Sequence, residues 1–158
     1  MTSDPGVLDT TSIIAAVRSH ALATGYVEDA PGHEPISRQL AGLVVAVWVQ
    51  RLTPVSGASG LASTSVRLVL NVRVYAPLRM DAPDEIDPAV MVVVDRLLTA
   101  YCADFTLGGL VHHVDIFGRY GAALDAVAGY VHHDGGTPYR VMTITLPLVI
   151  HNVWEQNP

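Results

Sequence analysis

The sequence predicts an α+β fold: a mainly antiparallel β-sheet of about four to five strands, with a mixed sheet left open, and two α-helices packed on one face. Three observations lead there. Half of the chain is hydrophobic, yet only two Trp and two Phe are present, so the apolar content is mostly Val, Leu and Ala. Abundant Val suits a pleated surface, where β-branched side chains pack well. Two segments carry helical spacing, while the others alternate or run apolar between hairpin-like connections. The resulting order, α, β, β, α, β, β, β, is that of a sheet with its helices gathered to one side. At 158 residues the chain fits a single domain, 1–158. A chain of that length buries roughly two thirds of its unfolded surface without a covalent staple.

A polar tail, residues 1–10, comes first. Asp9, Thr10, Thr11 and Ser12 offer N-caps, and Ile13, Ile14, Val17 and Ala21 recur at helical spacing. They give a helix over about 11–24, stopped by Gly25. Residues 26–38, with Pro31, Gly32 and Pro35, read as loop. The run 43–52 is a strand apolar on both faces, as a central strand would be. Residues 53–63 contain Pro54, Gly57 and Gly60 and form a protruding loop. In the strand 65–75, Val66, Leu68, Leu70, Val72 and Val74 line one face, and Arg67, Val69, Asn71, Arg73 and Tyr75 line the other.

Residues 76–87 form a second protruding loop. Asp87-Pro88 then reads as an N-cap and first helical residue. Val90, Val93, Val94, Leu97, Leu98 and Tyr101 stripe a helix over about 88–102. Cys102 near its end is the only cysteine; it excludes an intramolecular disulfide and reads as a core thiol. Gly108-Gly109 turns the chain into a strand over 111–117, and a small-residue connection, 118–125, leads to a strand over 126–132. A hairpin over 134–138 opens the long last strand, 139 to about 152. There Met142, Ile144, Leu146, Leu148 and Ile150 share a face, and Pro147 marks a bulge or an edge.

A net charge of −6 argues against a basic surface for DNA or membrane. The N-terminus lacks the basic start and apolar core of a signal peptide, so synthesis and folding in a cytoplasm are expected. No apolar run reaches membrane-spanning length. Lysine is absent, which excludes a Schiff-base lysine and a phosphate-loop lysine. A Gly-x-Ser-x-Gly elbow and a dinucleotide fingerprint are also lacking. No catalytic residue and no cofactor is expected.

The metal question rests on Val111-His112-His113 and Val131-His132-His133. Adjacent strand residues face opposite ways, so one histidine of each pair at most can join a site. His113 and His132, with Asp115, make the candidate two-histidine, one-carboxylate set. Against it stands the reading of both pairs as polar residues at strand ends, and on that reading no metal is expected. Arg67 and Arg73 on the polar face of 65–75 are candidates for contact with a neighbouring subunit. So are Arg79, Asp81, Asp84 and Glu85 in the loop 76–87, whose acidic group also favours the N-terminus of the next helix.

The stretch Val72-Arg73-Val74-Tyr75-Ala76-Pro77-Leu78 is followed by Ile86-Asp87-Pro88-Ala89 and its helix. Then come Asp104-Phe105-Thr106-Leu107-Gly108-Gly109, Val114-Asp115-Ile116-Phe117-Gly118, Gly129-Tyr130-Val131 and Tyr139-Arg140-Val141-Met142-Thr143-Ile144-Thr145-Leu146-Pro147-Leu148. In this order the chain resembles the tail terminator (tail completion) proteins of long non-contractile-tailed bacteriophages, over most of its length from the first helix to Trp154. The resemblance implies a structural virion protein and not an enzyme. Such proteins form a homo-oligomeric ring of six subunits at the head-proximal end of the tail. The ring caps the finished tube, stops polymerisation of the major tail tube protein and offers a docking surface to the head-tail connector. Phage DNA passes through the lumen without sequence-specific binding, and no membrane is involved.

The composition is compatible with that implication. An apolar, weakly charged chain suits heterologous interfaces that close into a ring. Negative charge suits a lumen that does not grip phosphates. The loops 53–63, 76–87 and 118–125 are the candidates for contact with tube or connector. Two alternatives stay open: another head-tail connector or neck ring, and a small metal-dependent enzyme using the histidine pairs.

Overall fold

Two helices lie on one face of a five-stranded antiparallel sheet in the computed structural model, as the predicted α+β class requires. The structure describes residues 8–36, 40–60, 62–78, 82–133 and 138–156. The elements are α1 (Thr10–Ala23), β1 (Val44–Pro54), a short 3-10 turn (Ser56–Ala58), β2 (Ser63–Pro77), α2 (Pro83–Ala103), β3 (His113–Val114), β4 (Asp125–His132) and β5 (Pro138–Glu155). The sheet order is β1-β2-β5, and the far side of β5 is shared by β4 and then β3.

Period-two alternation builds the main core. Val45 and Val47 of β1, Leu68, Leu70, Val72 and Val74 of β2, and Ile144, Leu146 and Leu148 of β5 all point to the helical side. They meet Ile13, Val17 and Ala21 of α1, and Ile86, Val90, Val93, Val94, Leu97 and Tyr101 of α2. Each such Leu, Ile or Val contributes about 1.5–3 kcal/mol when fully buried. The opposite face is not simply polar. Tyr75, Tyr139 and Val141 pack there with Leu40, Val44 and Ala46, and the Tyr139 hydroxyl accepts the Leu40 N–H at 2.9 Å.

Several boundaries differ from expectation. β1 is an edge strand, not a central one. Its first half is buried on both faces, Val45 and Val47 under the helices and Val44 and Ala46 against Leu40, Tyr75 and Tyr139, and residues 28–31 run beside its edge: the Val45 and Val47 N–H groups donate to the Asp29 and Pro31 carbonyls at 3.1 and 2.9 Å. Helix α2 starts at Pro83 rather than Pro88, with Asp84 and Glu85 in its first turn and Pro88 inside it. The loop expected over 76–87 therefore shrinks to the stretch between β2 and α2. The loop expected over 53–63 likewise loses Thr53 and Pro54 to β1 and Ser63 to β2. The strand expected over 111–117 is reduced to His113–Val114. Cys102 is exposed; it lies off the buried stripe that ends at Tyr101. The hairpin residues 134–137 and tail residues 1–7 lie outside the described residues.

Pro147 sits in β5 opposite Val69 without a register shift. Its carbonyl accepts the Asp115 N–H at 2.9 Å. In a strand, the N–H and C=O of one residue point to the same neighbour, so the missing donor faces the break along β5 between Thr145, where pairing with β4 ends, and Leu148, where pairing with β3 begins. The proline thus occupies a local edge inside an otherwise central strand.

Candidate functional site

Arg67 lies in the interior of the protein. Its Nε donates to the Asp115 carboxylate at 3.2 Å, with the side chains 7% and 4% exposed, and its guanidinium also donates to the Ala122 carbonyl. Asp115 accepts the Arg119 and Tyr120 N–H groups at 2.8 and 3.1 Å. The carboxylate thus ties two amides of the loop after β3 to the sheet and the guanidinium ties a third point, Ala122, and this is why the strand stops at Val114. Gly118 turns the loop with φ +71°, and a Cβ at Gly121 would stand 2.6 Å from the Arg67 guanidinium. The tip of this tightly held loop is Phe117, 93% exposed.

The candidate metal set does not assemble. His113 pairs with Val149 and His132 with Pro138, eleven positions apart along β5, which is roughly 35 Å at strand rise. Asp115 is engaged by Arg67. Among the described residues no group of three or more His, Cys, Asp or Glu is arranged to hold a metal ion.

Strand alternation does separate the second pair: His132 is exposed, while His133 packs against Tyr75 and Tyr139. It does not separate the first. The Nδ1 atoms of His112 and His113 lie 2.8 Å apart, because the strand is too short to impose alternation. His151 stacks on His112 with ring centroids 3.9 Å apart, and its Nδ1 meets the Ser65 hydroxyl at 2.9 Å. This three-histidine cluster joins β3, β5 and β2. His113 is pushed below the ordinary histidine value by partial burial and the neighbouring His112, with Arg119 acting the same way and Asp115 opposing. His151 is lowered by burial and the other two rings. Sequence reading missed His151, although its parity with Val149 on β5 sets it on the same face.

Arg73 also binds within the chain. Its Nε donates to the Thr143 hydroxyl at 2.7 Å, and its guanidinium lies 5.2 Å from the Trp48 ring and 4.0 Å from Glu34. It lines a cleft of about 290 Å³ with Tyr75, His132 and His133. Asp84 and Glu85 are exposed in the first turn of α2. Arg79 and Asp81 lie outside the described residues.

A shallower groove of about 600 Å³ runs between α1 and α2. At its rim His20 meets Asp104 at 2.8 Å, and this bond, with the Gly108 N–H, holds the Asp104 carboxyl below the usual range.

No protein-family model matches the chain, and no curated protein matches it.

Proposed function

We propose that this chain is the subunit of a homo-oligomeric ring, of six copies by the resemblance, that caps a phage tail tube at its head-proximal end. The ring stops addition of tube protein, presents a docking surface to the head connector, and lets DNA pass through its lumen. No catalytic role is assigned to it.

The observation that carries the reading is the loop after β3. A buried ion pair and two carboxylate-amide bonds hold that loop in one shape, yet its tip, Phe117, is almost wholly in solvent. A rigid, solvent-facing aromatic is the kind of anchor that dominates protein-protein contacts. The loop falls at the connection expected to touch tube or connector. The resemblance over most of the chain supports the same reading.

The test is polymerisation of a tail tube protein with and without this chain, with tube lengths measured by electron microscopy. The chain should arrest growth, and Phe117→Ala should arrest it less well while remaining folded. Tubes that keep growing in the presence of the native chain would sink the reading.

A further inference from the structure

Among the described residues the sheet has two uncovered edges, one on each side. β4 bonds only to β5, so the outer side of its eight residues is open, with Val127 and Tyr130 61% and 63% exposed. Exposed edges are normally blunted by lysine, proline or a bulge, and β4 has none of these. On the opposite side, residues 28–31 cover only the first half of β1. From Val49 to Leu52 the edge is exposed.

We propose that these two edges are one interface, with β4 of one copy adding to the uncovered half of β1 in the next copy. The two strands run in opposite directions, because three antiparallel pairings separate them. Copies related by rotation about an axis along the strands therefore join antiparallel.

Side chains and faces match in one register. Arg51 of β1 and Asp125 of β4 both lie on the face away from the helices, since their partners Val69 and Thr145 belong to that face. Both are exposed, and neither has an ion-pair partner among the described residues. Setting Arg51 against Asp125 places Val49 opposite Ala126 on the helical face and Trp48 opposite Val127 on the other. The bulge between Val49 and Arg51 absorbs Gln50. Opposite charges and an aromatic-β-branched pair are favourable cross-strand neighbours. The ladder stops at Trp48, because the Val47 N–H already donates to Pro31. The contact joins two different patches, so it is heterologous and propagates head to tail into a ring or a filament. It rests on the proposed ring only in requiring that copies associate.

The test is the association state of the full chain by light scattering and sedimentation. The native chain should oligomerise. Arg51→Asp and Asp125→Arg should each weaken association roughly tenfold or more, with circular dichroism unchanged. The double swap should restore it. In a Cys102→Ser background, Arg51→Cys and Asp125→Cys chains should cross-link to each other on mixing. A native chain monomeric at high concentration, an oligomer indifferent to the single reversals, or a double swap without rescue overturns the proposal. An oligomer held by some other surface would leave the tube-capping reading standing. Edge-paired rings that fail to arrest tubes would remove that reading and keep the interface.

Discussion

Arg67 shows how a charged side chain comes to be interior. Alternation along β2 correctly places it on the face away from the helices, but alternation does not say what covers that face. The loop after β3 does, and it brings Asp115. With both partners nearly inaccessible, removing one strands the other charge, a loss of about 3–5 kcal/mol. Asp115→Ala should lower stability by that amount in urea denaturation and free the Phe117 loop to proteolysis; a change under about 1 kcal/mol would contradict the pinning role. The histidine cluster makes a pH prediction. His113 and His151 are lowered in the folded chain, so the unfolded chain takes up protons first as pH falls. Their contribution is intact above the unfolded value, about 6.5, and is lost as pH drops through the folded values. His112 and His113 cannot both carry a proton on Nδ1 at 2.8 Å. Denaturation midpoints should therefore fall more steeply below pH 6.5 in the native chain than in a His113→Asn/His151→Asn variant. Parallel curves for the two would remove the cluster from the account.

At the scale of elements, strongly periodic segments were legible and their ends were not. The stripe from Val90 to Tyr101 fixes α2, but Asp87-Pro88 resembles a helix start so closely that the first turns are hidden. The residue before a proline disfavours helical backbone. The helix nonetheless continues through it, with Ile86 buried and Asp87 accepting two bonds from Arg140 at 2.9 and 3.3 Å. Pro88 is exposed and lies inside the helix, where it cannot donate to the carbonyl four residues back and crowds it. Pro88→Ala should therefore stabilise the protein by about 1 kcal/mol or more. A thermal or urea midpoint that falls on this substitution would mean that Pro88 is needed to hold Asp87 against Arg140. β3 was illegible for a different reason. Its residues alternate like a strand, but the Asp115 side chain captures the following amides and ends it.

At the scale of the molecule, the class was legible because helical and strand periods differ, whereas the order of strands was not. The run 43–52 looks central because it is apolar on both faces, yet its cover is a loop, not a strand. The true centre is β2 with β5, which pairs Val72 with Ile144 across 72 positions of sequence and encloses α2 between them. Closing so long a loop costs entropy before any contact repays it, so folding should take milliseconds to seconds in stopped-flow refolding. The same topology orders the events. β4 can add to β5 only once β5 has a place in the sheet, and β4 is half exposed. Ile144→Val, which removes a buried methylene at the centre and costs about 0.5–1.5 kcal/mol, should act largely on the folding rate. Val131→Ala in β4, partly buried beside Tyr139, should act mainly on unfolding, with a φ-value below about 0.3. If Val131→Ala instead slows folding in proportion to its stability loss, the β4-β5 hairpin, local in sequence, nucleates the fold, and β2 docks onto it later.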